Sequence, residues 1–393
     1  MFTCGPSIYQ RPHIGNYRTF LFEDVLQRYL EYIGYNVIRT LNFTDVEDKS
    51  IAEADRKDME VLELTGKAGK DFFKDLKKLN IKKPTYNPRS STSIEQAVEL
   101  IQTLLEKEHA YWYKGNVYFD LMTFKDFGKL GHLDRSKFPK KRIRYHRDTY
   151  SGNRRNVGDF ILWHGYKQGD TTYWDTPLGK GRPAWNVQDP AMAIQTLGPC
   201  VDICCGGEDS LARHHDYTIA VAEAYSEKEL ARYWLHGAHL LVDGKKMSKS
   251  KGNVIYVDEL VKAGYSGEEI RFFLIYANYR QRLNFTYENL KKNTEKLRKT
   301  RDIINTLSNV KGSKKGPKNS ISEKLVKRME RDFKRNMDND LDVKTAFDGI
   351  TDTLLKIEEM SEEGKLTSQD AEDIIEMLKN MDSVLQVLGL AEP

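Results

Sequence analysis

A chain of 393 residues with 39% apolar and 31% charged side chains can bury sizeable cores and is long enough for two or three structural units. No window approaches the ~20 apolar residues of a membrane span, and Met1-Phe2-Thr3-Cys4 carries no basic and apolar leader, so a cytoplasmic protein without a membrane partner is expected. The four cysteines, Cys4, Cys200, Cys204 and Cys205, are too sparse and clustered for a disulfide framework, leaving buried thiols or a metal site; a net charge of +4 identifies no polyanionic partner by itself.

Residues 1–50 predict a βαβ unit. A short apolar lead passes through Gly5-Pro6 into a helix with Leu21, Val25, Leu30 and Ile33 on one face and Gly34 as its cap, and Val37-Ile38 and Leu41 suit a buried strand. The tetrapeptide His13-Ile14-Gly15-Asn16 then sits at the start of a helix leaving a strand, where exposed amides and the helix dipole favour a phosphate. A helix around Glu95–Glu108, a Tyr-rich strand over Ala110–Phe119 and a basic stretch from Lys137 to Arg147 read as an insertion. Apolar segments at Phe160–Trp163, Val201–Ile203 and Tyr233–Leu235 are expected to complete a doubly wound sheet. After Phe285 the chain is helix-compatible, broken only by a loop at Gly312–Pro317, and basic residues dominate from Lys291 to Arg335, giving either a nucleic-acid surface or a solvated helix face. The fold class expected is α/β: a doubly wound, Rossmann-type nucleotide-binding domain with an insertion, followed by a C-terminal α-helical bundle.

The specific chemistry lies in two motifs, His13-Ile14-Gly15-Asn16 and Lys246-Met247-Ser248-Lys249-Ser250, the second followed by Lys251-Gly252-Asn253. Alone, the first is a common helix start. Paired with the second, it suits adenylate formation, in which a carboxylate attacks the α-phosphate of ATP and pyrophosphate leaves. That reaction requires the protein to align reactants and neutralise phosphate charge. Lys246 and Lys249 supply cations on a loop, His13 and Asn16 supply donors, and Gly15 leaves room for close nucleotide packing. Gly206-Gly207-Glu208-Asp209 follows an apolar strand, and its Asp209 suits ribose hydroxyls.

With Thr3-Cys4-Gly5-Pro6-Ser7-Ile8-Tyr9, Asn42-Phe43-Thr44-Asp45-Val46-Glu47-Asp48-Lys49, Gly179–Trp185 and Val242-Asp243-Gly244-Lys245 in the same order, the chain resembles cysteinyl-tRNA synthetases, class I aminoacyl-tRNA synthetases with HIGH and KMSKS motifs. The resemblance runs from residue 1 to about 290, with further matches in the helical part. It implies a catalytic domain at 1–230 with the insertion at about 96–150, a KMSKS-bearing linker region at 231–290 and a helical bundle at 291–393. It implies ATP with Mg2+ as cofactors. His13, Gly15, Asn16, Gly207, Asp209, Ser248 and Lys249 would contact ATP, with His13, Asn16, Lys246 and Lys249 catalytic. Cys4, Trp185, Asp189, His214 and Thr218 would line the amino-acid pocket.

In that family two Cys, one His and one Glu hold a zinc ion that binds the substrate thiolate. The matching positions here are Cys4, Asp189, His214 and Thr218, so at most three good ligands remain, Cys4, Asp189 and His214. Lost or weakened zinc binding is expected, with Cys204 and Cys205 as the alternative source of ligands. The small anticodon-reading domain common in the family is not expected in this chain, so tRNA would be held by its acceptor arm. The expected function is ATP-dependent amino-acid activation with transfer to tRNA. The alternatives are a paralogue using another amino acid or a small-molecule acceptor, as in the mycothiol-type ligases, or a non-catalytic tRNA- or nucleotide-binding module.

Overall fold

In the computed structural model, which describes residues 1–133, 158–248, 251–310 and 320–391, strands and helices are interspersed as far as Phe285 and only helices follow. The basic stretch Lys137–Arg147, the loop Gly312–Pro317 and Lys249 lie outside the described residues. The order begins β1 (Phe2–Thr3), α1 (Ile14–Tyr32), β2 (Thr40–Leu41), α2 (Asp48–Arg56), α3 (Val61–Lys78) and α4 (Ile94–Glu106). It continues with β3 (Ala110–Tyr113), β4 (Asn116–Phe119), β5 (Phe160–Gly165), β6 (Trp174–Thr176), β7 (Gly179–Pro183), α5 (Trp185–Leu197), β8 (Val201–Gly207), α6 (Asp216–Ser226) and β9 (Ala231–Gly237). Then come β10 (Leu240–Val242), β11 (Lys245–Lys246), α7 (Val257–Lys262), α8 (Gly267–Ile275), β12 (Leu283–Phe285) and four helices, α9 (Tyr287–Ser308), α10 (Ser320–Asp338), α11 (Val343–Glu362) and α12 (Ser368–Leu385).

Two compact units are assembled from interleaved segments. Met1–Arg11, Ile38–Phe72 and Pro84–His236 form the first; Pro12–Val37, Phe73–Lys83 and Gly237–Pro393 form the second. In the first unit the sheet order is β2-β1-β8-β9, with β1 parallel to both β2 and β8 (Phe2 opposite Thr40 and Cys204), the pattern expected of a doubly wound fold. Cys204 is buried in this sheet's core with Phe2, Val201 and Ala231. A second sheet, β3-β4-β5-β7-β6, is antiparallel throughout.

Three sequence expectations change here: of Val37, Ile38 and Leu41 only Leu41 lies in a strand, β2, and Ile38 is exposed. Phe160–Trp163 does not return to the doubly wound sheet; as β5 it lies at the centre of the antiparallel one, between β4 and β7. The Ala110–Phe119 strand is a hairpin, because Lys114 and Gly115 both take positive φ (47° and 78°) and reverse the chain in two residues. The apolar face of α4, spaced as Ile94, Ala97, Val98, Ile101 and Leu104, shares a core with this sheet through Phe119, Phe160 and Trp163. Burying each such large side chain contributes on the order of 1.5–3 kcal/mol.

In the second unit α1 packs on α8, α12 and β10, and a small sheet forms in the order β11-β10-β12. Gly34, at φ 100°, closes α1 as expected, its N–H reaching the Glu31 carbonyl at 3.0 Å. Buried Arg18 ties α1 to its neighbours by donating to the carbonyls of Ala238, Leu274, Asn278 and Gln281.

Candidate active site

His13 stands at the N-cap of α1, and the Asn16 side-chain oxygen accepts from His13 N at 3.0 Å, so part of Asn16 is spent on organising the helix start. A Cβ on Gly15 would lie 3.0 Å from His13 Nδ1 and 3.7 Å from Leu240 Cβ; glycine lets the imidazole fold over the first turn, directly above β10. Ile14 N donates to Ile255 O at 3.0 Å. The first motif therefore shares one unit with the segments flanking the second, Leu240 before it and Ile255 after it, although more than half the chain separates the two motifs. β10 and β11 form the hairpin that ends at Lys246, whose ammonium is 3.4 Å from His239 Nε2. Asn253 then closes the loop from its far side, accepting from Ser248 N at 2.9 Å and donating to Lys246 O at 3.3 Å.

The expected pocket residues gather in the first unit. Cys4 Sγ lies 3.2 Å from Asp189 Oδ2 and 3.4 Å from His214 Nε2, and His214 Nε2 lies 2.6 Å from the same Asp189 oxygen. Trp185 stacks on His214 at 5.3 Å with 16° between the rings. A single π-helical turn, Leu211–His215, precedes α6 and delivers both His214 and His215, a distortion that no sequence period announces. Thr218 Oγ1 donates to the His214 carbonyl at 3.1 Å, so its hydroxyl holds the turn and does not join the donors. Burial opposes protonation of His214, but the charge and hydrogen bond of Asp189 outweigh it and hold His214 above the usual histidine value. His215, buried and flanked by His214 and His236, is pushed well below it. Gly207 ends β8, and Asp209 beyond it is exposed. A Cβ at Gly206 would lie 2.8 Å from His215 Cε1, so the glycine turn and the histidine pair are packed as one piece.

A family model described as the class I (C) tRNA synthetase catalytic domain matches residues 1–295. The chain is 40% identical over 393 residues to a cysteine–tRNA ligase of Chlamydia pneumoniae, an alignment covering 99% of this chain and 82% of that protein. It is 37% identical over 398 residues to a cysteine–tRNA ligase of Brachyspira hyodysenteriae, covering 100% and 82%. The chain belongs to the class I cysteinyl-tRNA synthetase family. Its fold is also that of a Mycobacterium tuberculosis methionyl-tRNA synthetase solved with methionyl-adenylate (TM-score 0.69, 14% identity, 98% of this chain and 89% of that one).

For a member of the cysteinyl-tRNA synthetase family, a metal ion is the group to test against these donors. Among the described residues, Cys4, Asp189 and His214 form the one group of three or more such side chains able to hold an ion, their donor atoms lying within 4.8 Å of one another. Cys204 and Cys205 are not members of it. Sulfur, imidazole nitrogen and carboxylate oxygen are all zinc donors, and three protein ligands with an open fourth position is the pattern of a reactive site. Around a tetrahedral zinc, S···N and S···O separations of about 3.5 Å are expected, close to those seen, whereas N···O should be about 3.3 Å. The shorter His214–Asp189 distance is that of a hydrogen bond, which an ion would replace by parting the two side chains. The residues fit a three-donor site.

Sequence reasoning passed over Asn42, which donates to Asp189 Oδ1 at 2.8 Å; over His236, whose Nε2 lies 2.8 Å from His215 Nδ1; and over the loop-closing role of Asn253. Asn42 stood within a quoted motif. Only its burial and its partner distinguish it from the residues beside it.

Proposed function

We propose that the chain activates cysteine with Mg2+–ATP to cysteinyl-adenylate and transfers the aminoacyl group to tRNA in the cytoplasm. The observation that carries this reading is the meeting of the HIGN helix start and the KMSKS hairpin in one unit, through Ile14–Ile255 and Gly15–Leu240. His13, Gly15 and Asn16 face the triphosphate, Lys246 and Lys249 neutralise the departing pyrophosphate while Ser248 donates a hydrogen bond to ATP, and Gly207 and Asp209 take the ribose. Trp185 walls the amino-acid pocket, with Cys4, Asp189 and His214 as donors for a zinc ion, which would supply a Lewis acid for a substrate thiolate. Residues 1–230 form the catalytic domain, 231–290 the loop-bearing linker and 291–393 the bundle.

The test is ATP–pyrophosphate exchange with each standard amino acid, followed by aminoacylation of tRNA. Exchange dependent on cysteine is expected, and Lys249→Ala in folded protein should lower it by on the order of 10²–10³, the usual effect of removing one contact to developing charge. Unchanged exchange in that variant would remove Lys249 from the chemistry. Exchange with a different amino acid, or none with any, would overturn the reading.

A further inference from the structure

The two oxygens of Asp189 have different surroundings. Oδ2 faces His214 and Cys4, while Oδ1 accepts from the Asn42 amide at 2.8 Å. Asn42 is wholly buried, Asp189 is 1% exposed, and both ends of the Asn42 amide are used, because its oxygen accepts from Gly5 N at 2.8 Å. One side chain thus joins the backbone beside Cys4 to the carboxylate on α5 that completes the cluster. The backbones are pressed together as well: a Cβ on Gly5 would lie 1.6 Å from the Asn42 carbonyl oxygen. Where a site has a thiolate, one soft atom binds and nothing needs steering. A carboxylate offers two oxygens and can ligate through either or both, so replacing sulfur by Asp189 creates a need for a partner that chooses between them.

We propose that Asn42 is a positioning residue for a divalent-metal site of Cys4, Asp189 and His214, holding Oδ1 so that Asp189 ligates through Oδ2 alone and a fourth position stays open. This rests on reading the cluster as metal-binding in the preceding section. Both the donor and the acceptor of the Asn42 amide serve residues of the cluster or their immediate neighbour. Its effect should therefore be read at the metal before it is read in turnover.

The experiment uses the full chain, stripped by chelator and titrated with Zn2+ against a chromogenic competitor, then with Co2+ by visible absorption. Wild type is expected to bind one ion, with the intense ligand-field bands of four-coordinate Co2+ and a thiolate charge-transfer band that Cys4→Ser abolishes. Asn42→Ala is expected to weaken Zn2+ by about 10–100-fold, the usual effect of losing such a supporting hydrogen bond. It should also weaken the cobalt ligand-field bands, as Asp189 becomes free to chelate through both oxygens. Asp189→Asn, which keeps the oxygen facing Asn42 and nearly the same volume, should lose tight binding altogether. Asn42→Ser is the second variant should the alanine variant fail to fold, and carries the same expectation. Unchanged affinity and spectrum in a folded Asn42 variant, beside a metal-binding wild type, would overturn the role of Asn42 and leave the site standing. A wild type that binds neither ion would overturn the site itself, and cysteine-dependent pyrophosphate exchange in that metal-free protein would show the adenylation reading surviving without it.

Discussion

Asp24 is fully buried on α1 and takes three donors: Arg28 Nε at 3.0 Å, Arg271 at 2.7 Å and Lys82 N at 2.7 Å. Arg271, also fully buried, spends its remaining donors on the carbonyls of Leu79, Asn80 and Leu385. Burial lowers the pKa of its guanidinium and the Asp24 charge works against that, so removing the carboxylate strands a desolvated cation. Asp24→Ala should cost about 3–5 kcal/mol in urea unfolding, and a loss below about 1 kcal/mol would show that water reaches Arg271. His164 is the residue to follow with pH. Burial first, then Arg182 directly across the β5–β7 ladder, pushes it down to about 3. Its folded pKa lies below the ordinary histidine value of about 6.5, so its contribution is fully present above pH 6.5 and lost as pH falls toward 3. Stability should fall by up to about 1.4 kcal/mol per pH unit through that window from this group alone. His164→Gln should flatten the slope in denaturant titrations at pH 5 and 7; an unchanged slope would assign acid sensitivity elsewhere. Neither residue is marked in the sequence, since an aspartate in a helix and a histidine in a strand are ordinarily solvated.

At the scale of elements, α12 shows how one side chain finishes a helix. Its last turn closes with Gln386 in the left-handed region, and Asp382 then collects four backbone donors on either side of Gly389, Val387 N and Leu388 N on Oδ1, Leu390 N and Ala391 N on Oδ2. Arg301 adds bonds to the Val387 carbonyl. Asp382→Asn turns one accepting oxygen into a donor facing other donors and should cost about 1–3 kcal/mol. Hydrogen exchange should show amides 387–391 losing protection together while α9 keeps its own; uniform loss across the bundle would mean that the segment does not open separately. Helix existence was legible, because α4 and the four final helices carry their apolar periods openly. Strand membership was not. β5 has the apolar content of a doubly wound strand, and its antiparallel partners were decided by the positive-φ turn at Lys114-Gly115 and by the β6–β7 hairpin, signals two residues long.

For the whole molecule, net charge is nearly neutral and any tRNA surface depends on where cations outnumber their partners. On α10, Lys327 pairs with Glu323 and Lys334 with Glu330, whereas Arg328, Arg331 and Arg335 all lie about one carboxylate, Asp332, at 3.4–3.5 Å. The arginines are therefore the surplus. Arg331→Gln and Arg335→Gln should each reduce the salt dependence of tRNA binding by about one unit of log K against log salt, and Lys327→Gln and Lys334→Gln by clearly less. Equal effects, measured by filter binding over a salt series, would mean that the intrahelical pairs dissolve on binding. The reaction class could be read from the residues alone, because ATP chemistry demands particular residue types at particular spacings and leaves few substitutes. The resemblance also marked Asp189 and Thr218 as departures from the family's zinc ligands. What those departures amount to is visible only in the fold: Thr218 Oγ1 donates to a backbone carbonyl, Asp189 Oδ2 lies against His214 and Cys4, and Asn42 donates to its other oxygen. Those outcomes depend on which buried polar atoms meet across a core, and a hydrogen bond between residues 147 positions apart leaves no mark on the sequence around either of them.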